Sequence, residues 1–333
     1  MIKELKPMNK EDILAAGERD MEQLSRKHIY HTPTKHNEVA IIKVPFGLAG
    51  ARNGAELGPD ELITAGLKRE IASLGLIVSK EVRVDCPTQP AVPAGRKTLK
   101  YLNEVQQVSQ HVCHEISVAL EKGAFPLVLG GDHSVAIGTV AGLTAYYSNL
   151  GVIWFDAHAD LNTEEHSLTG NMHGMSVAAF LGHSAFNLSQ IKGAGSFVDP
   201  SNLVYIGLRD LDDYEKEQIR TLGIRAFTMH DIDRMGMKQV IEQAMVIAGG
   251  GTDGIHVSFD MDCLDPREAP GVGTPVPGGL SYREAHFAME CLASSNQVVS
   301  MELVEVNPLL DQNRHTARLG VGLIASLLGK SIL

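Results

Sequence analysis

The sequence predicts an α/β fold, a three-layer αβα sandwich around a mostly parallel central sheet. Three observations carry this. Short apolar runs alternate with helix-like stretches from Val39 onward. The runs are apolar throughout, as strands buried on both faces must be. Three of them end in clusters of aspartate and histidine, and open parallel sheets place their sites beyond the carboxyl ends of their strands.

In chain order, residues 1–37 read as an N-terminal arm or peripheral helix. Glu11 to Arg26 has the spacing of an amphipathic helix, and the chain then runs into His28, His31, Pro33 and His36. Those histidines read as solvated, since no organised ligands accompany them. Residues 38–333 read as a single domain, without a Ser/Gly/Pro-rich linker, charge block, low-complexity tract or repeat. Strands are expected at 39–44, 126–129, 151–155, 203–206, 224–227, 254–259 and 298–306. Helices are expected at 103–122, 134–147, 213–222, 231–248, 281–293 and 315–329. In helix 103–122, Val105, Val108, Val112, Ile116 and Ala119 form an apolar stripe. His111 and His114 fall beside and opposite it and read as surface residues.

The chain has 333 residues and a formal net charge of −11, which argues against nucleic acid as a partner. A hydrophobic fraction of 44% supports a sizeable core. Cys86, Cys113, Cys263 and Cys291 form no CxxC pair, which points to a reduced, cytoplasmic protein. Cys263 directly follows Asp262 and reads as a small packing residue rather than a reactive thiol. Met1 to Asp12 is charged throughout and lacks the apolar core of a signal peptide. No apolar run is long enough to cross a membrane.

The chemistry is concentrated at three strand ends. Asp156-Ala157-His158-Ala159-Asp160 follows the run 151–155. In extended chain, residues two apart point the same way, so Asp156, His158 and Asp160 can share a face. Without a cation they would repel and desolvate one another. Mixed carboxylate and imidazole ligands suit Mn, Fe or Zn better than a soft metal. Asp260-Met261-Asp262 ends the run 254–259, and Gly130-Gly131-Asp132-His133-Ser134 follows the apolar run Phe125 to Leu129. Singly, each reads as readily as a solvated turn or a satisfied histidine. Together they offer His133, Asp156, His158, Asp160, Asp260 and Asp262, more ligands than one tetrahedral zinc needs. Carboxylates able to bridge point to two metals sharing a water or hydroxide.

These segments resemble the metal signatures of the ureohydrolases, and within that family most closely the arginases. Further pieces carry the likeness: Asp160-Leu161-Asn162-Thr163, Thr169-Gly170-Asn171-Met172-His173-Gly174, Gly207-Leu208-Arg209-Asp210-Leu211-Asp212, Gly273-Thr274-Pro275 and Glu305-Val306-Asn307-Pro308. The resemblance runs from about Val39 to the C-terminus. It implies an arginase-like catalytic domain that hydrolyses L-arginine to L-ornithine and urea by attack of a metal-bridging hydroxide, with two Mn2+ per subunit. One Mn would be held by His133, Asp156, Asp160 and Asp260, the other by Asp156, His158, Asp260 and Asp262. His173 would transfer protons. Glu305 would hold the guanidinium, assisted by Thr274. Asn162, Thr169 and Asn171 would face the α-carboxylate and Asp212 the α-ammonium. The run around Asp212 also reads as an ordinary acidic helix start. Two departures stand out: Thr169 replaces a frequent serine, adding a methyl to the pocket, and Cys263 replaces a more usual glycine.

The resemblance further implies a homo-oligomer, trimer or hexamer. Agmatinase or guanidinobutyrase would use the same metals on a different guanidine tail, without need of a head-group site. A non-catalytic regulatory protein binding metal or a basic amino acid would have no need of His173 and Glu305. A single-zinc deacetylase of related fold would carry fewer ligands.

Overall fold

The computed structural model describes residues 37–88 and 98–332. The arm expected before residue 37 lies outside them. The apolar runs form β1 (Glu38–Val44), β2 (Ile77–Arg83), β3 (Phe125–Gly130), β4 (Leu150–Phe155), β5 (Leu203–Leu208), β6 (Arg225–Thr228), β7 (Gly254–Asp260) and β8 (Val298–Val304). They make one sheet in the order β2-β1-β3-β8-β7-β4-β5-β6, and every described pairing is parallel. From β4 the chain runs outward through β5 and β6. It then returns, so that β7 and β8 fill the space between β4 and β3.

Helices cover both faces. They are α1 (Gly58–Thr64), α2 (Leu67–Ser73), α3 (Leu102–Glu121), α4 (Ala136–Tyr146), α5 (Ser176–Phe180), α6 (Asp213–Leu222), α7 (Met229–Gly249), α8 (Tyr282–Ser295) and α9 (His315–Leu327). Alternate strand residues feed two cores. Ile41, Leu127, Phe155, Val257 and Leu303 pack with α1, α2, α7, α8 and α9. Ile42, Val128, Trp154 and Tyr205 pack with α3, α4 and α5. The three-layer expectation and the parallel sheet both hold. His111 and His114 are exposed on α3, as expected. Among the described residues no helix is long and apolar enough to cross a membrane.

Three differences have physical causes. The sequence gives no sign of β2, because it is an edge strand whose residues are exposed or half-buried throughout. Strand β8 stops at Val304 rather than 306, because Glu305 turns out of the strand with φ 64. The long helix 231–248 begins earlier, where Thr228 caps it through Asp231, and Gly236 breaks it inside with φ 75 and ψ 151.

Candidate active site

The four middle strands, β3, β8, β7 and β4, are neighbours, and an acid or a histidine closes each or follows within three residues of its end. Phe155 pairs with Phe259, so Asp156 and Asp260 follow at one level of the sheet. Beyond β3 the chain must turn hard under the segment that leaves β1. A Cβ at Gly131 would lie 1.9 Å from the Phe46 carbonyl oxygen, so glycine is required there. Asp132 then accepts from the backbone N–H of Ala49 at 2.9 Å and of Ser134 at 3.0 Å, which sets the turn carrying His133.

His133 Nδ1 lies 3.2 Å from Asp156 Oδ2, 3.3 Å from Asp160 Oδ2 and 3.1 Å from Asp260 Oδ2. It is fully buried and has no hydrogen-bond partner. A lone pair buried among three carboxylate oxygens is what a cation site requires. A second group lies alongside: His158 Nδ1 is 3.4 Å from Asp156 Oδ1 and 3.1 Å from Asp262 Oδ2. Asp156 thus offers one oxygen to each group, and both groups have the geometry to hold a metal ion. Asp260 gives Oδ2 to the first group, while its Oδ1 accepts the Asp262 N–H at 2.7 Å. Burial and neighbouring acids hold the Asp160, Asp260 and Asp262 carboxyls above the usual range. Burial pushes Asp156 the same way, but the His133 and His158 side chains beside it outweigh burial and hold this carboxyl low. The donor set thus crowds buried carboxyls together, and it fits divalent metal.

A buried layer beneath the cluster orients it. Trp154 Nε1 donates to Asp156 Oδ2 at 2.9 Å, and its ring stacks on His133 at 4.0 Å. Ser258 donates its hydroxyl proton to Glu302 Oε1 at 2.7 Å, so its oxygen accepts from His133 Nε2 at 2.8 Å. The proton of His133 therefore sits on Nε2, and Nδ1 keeps the lone pair that faces the acids. His256 backs Glu302, with Nε2 3.4 Å from Oε1. The sequence shows these residues only as polar interruptions in strands otherwise read as apolar.

Over the cluster opens a pocket of about 280 Å³. Of the residues expected in the site, His158, Asp160, Asn162, Thr169, Asn171, His173, Asp212, Asp260, Asp262 and Thr274 line it. His133, Asp156 and Glu305 are buried beneath or beside it. Two of these residues bond to acids of the site. Thr274 Oγ1 donates to Asp262 at 2.8 Å. Asn162 Nδ2 donates to Asp212 Oδ2 at 2.7 Å, and Asn162 Oδ1 is buried and unpartnered.

Glu305 Oε1 accepts from the His133 backbone N–H at 3.1 Å and lies 3.3 Å from His173 Nδ1. Burial disfavours charge on His173, but the hydrogen bond and charge of Glu305, with Asp160 and Asp132 behind, push it up to about 9. Asp212 is both a helix cap and a pocket residue. It accepts from the Glu215 N–H at 2.9 Å, and Glu215 returns a carboxylate oxygen to the Asp212 N–H, forming a capping box on α6.

Several residues of the site were not anticipated. Glu215 lines the pocket and accepts from the Leu161 N–H at 3.2 Å, and the Asp212-x-x-Glu215 pattern was a legible signal for it. Asp210 also lines the pocket, 3.9 Å from His158 Nε2. Arg209 donates to the carbonyls of Gly207, Asp262, Cys263, Leu264 and Val276, tying the chain after β5 to the chain after β7. His166 stacks flat on Tyr214 at 3.7 Å and pairs through Nδ1 with Thr163 Oγ1 at 2.9 Å. Lys100 reaches Asn171 Oδ1 at 2.9 Å. Cys263 is fully buried, and burial raises its thiol well above the usual range, consistent with packing.

Residues 37–329 match the sequence profile of the arginase family. Arginase of Bacillus caldovelox is 44% identical over 298 residues, which cover 89% of this chain and 99% of that protein. Its crystal structure is similar with a TM-score of 0.85. The crystal structure of arginase from Bacillus cereus is 47% identical, has a TM-score of 0.84, and is matched over 89% of this chain and 99% of its own. Entamoeba histolytica arginase, solved in complex with L-ornithine, is 32% identical with a TM-score of 0.81, over 89% of this chain and 99% of its own.

Proposed function

This chain belongs to the arginase family, a family of hydrolases, and from that premise we propose that it cleaves L-arginine to L-ornithine and urea with two Mn2+ at the ends of β3, β4 and β7. The observation that carries the proposal is the division of Asp156 between two ligand groups, one around His133 and one around His158. His133, Asp156, Asp160 and Asp260 would hold one ion, and Asp156, His158, Asp260 and Asp262 the other. When bound, the metals supply an activated water near neutral pH.

The protein's own side chains do the rest. Glu305 offers the guanidinium a buried carboxylate. His173, raised to about 9 by Glu305, carries a proton at neutral pH and is placed to hand it to the departing amine. At the other end, the Asp212 carboxylate suits an α-ammonium. Thr169 and Asn171 supply the neutral polar corner that an α-carboxylate requires.

The test pairs metal content with substrate preference. Active protein is expected to hold two Mn per chain by elemental analysis and to release urea from L-arginine far faster than from agmatine or 4-guanidinobutyrate. Full activity with a single bound metal would overturn the two-metal assignment. Preference for agmatine would leave the metal site standing and overturn the substrate.

A further inference from the structure

Among the described residues no lysine or arginine lines the pocket, whose charged groups are carboxylates and two histidines. A substrate carboxylate entering it meets repulsion nearly everywhere. The exception is the corner at Thr169 and Asn171, and Lys100 stands behind it. Lys100 Nζ donates to Asn171 Oδ1 at 2.9 Å, and the Lys100 backbone N–H donates to the Gly170 carbonyl at 2.9 Å.

An ammonium group has donors only, so the first bond fixes the direction of the Asn171 amide. The oxygen faces Lys100, and Nδ2, which has no partner among the described residues, is left for the pocket that Asn171 lines. Asn162 is oriented as well, because one proton of its Nδ2 goes to the Asp212 carboxylate. A donor at Asn171 matches the carboxylate of an α-amino acid head.

We propose that Lys100 is a positioning residue for α-carboxylate specificity: it turns the Asn171 amide to donate into the pocket and sets a positive charge behind the carboxylate position. The proposal rests on the arginine reading above. A guanidine without a carboxylate gains nothing from Lys100, so the residue contributes to choice of substrate rather than to cleavage of the C–N bond.

The experiment compares L-arginine with agmatine on Mn-loaded wild type, Lys100→Met and Lys100→Arg. Lys100→Met keeps the backbone bond to Gly170, so the loop anchor survives. A lost charge-assisted hydrogen bond is expected to raise KM for L-arginine about tenfold. The value of kcat and the metal content should move little, and kcat/KM for agmatine should change far less than that for L-arginine. Lys100→Arg should recover most of the loss. Equal losses on both substrates, or an unchanged KM for L-arginine, would overturn the role of Lys100. A wild type that does not prefer L-arginine over agmatine would instead overturn the substrate reading, and this inference with it.

Discussion

Asp160 and Glu305 hold left-handed backbones, φ 49 and 64, which L residues avoid. Each such residue costs roughly 1–3 kcal/mol and persists only where its surroundings fix it. Glu305 is fixed by its N–H to the Gly131 carbonyl at 2.8 Å, and the Asp160 carbonyl accepts the Val177 N–H at 2.9 Å. The strain thus falls on one residue at a metal group and one beside His173. His173 gives this pairing a pH signature. Its pKa is raised in the fold to about 9 from an ordinary 6.5. The stabilisation is therefore complete below about 6.5 and is lost as pH rises through about 9. In metal-free protein, the melting-temperature gap between wild type and His173→Asn should close across that window. A gap that stays constant to alkaline pH would mean that Glu305 does not hold the imidazolium.

The loop from Leu161 to Gly174 is the element that would face the substrate head in the proposed reading. Its only aromatic tie to another element among the described residues is His166 against Tyr214, at 3.7 Å with planes 7° apart. Tyr214 lies in the first turn of α6, two residues after Asp212, so the stack joins the loop to the helix that Asp212 caps. A stacked ring pair couples by about 0.5–1.5 kcal/mol. His166→Ala and Tyr214→Ala should each raise KM for L-arginine, and the double variant should cost less than their sum by about that coupling. Strict additivity would show that the rings touch without fixing the loop. This contact was not legible in the sequence, because stacking across forty-odd residues of separation leaves no local pattern. The short helices α1, α2 and α5 escaped for a related reason: they span too few turns for a 3.6-residue period to show.

Across the molecule, what could be read in advance followed the sheet. Strands buried on both faces announce themselves as apolar runs, and acids set just beyond them, such as Asp156 and Asp260, announce the site. The edge strand β2 and the directions of Asn162 and Asn171 could not be read, because each depends on a neighbour distant in the chain. Metal ties this architecture to stability. The candidate ligands come from the ends of three strands, and buried acids held above the usual carboxyl range would gain a cation. A resident ion present at a hundredfold its dissociation constant stabilises the fold by about 2.7 kcal/mol. Chelation should therefore lower the melting temperature, and Mn should restore it. A melting temperature indifferent to both would argue that the cluster holds no ion.

Trp154 is the chain's single tryptophan. It stacks on His133 and donates its indole N–H to Asp156, the acid shared by both ligand groups. Its emission is therefore an intrinsic optical probe of the catalytic centre. Titrating Mn while following tryptophan fluorescence would report occupancy directly, without a label, a substrate or turnover.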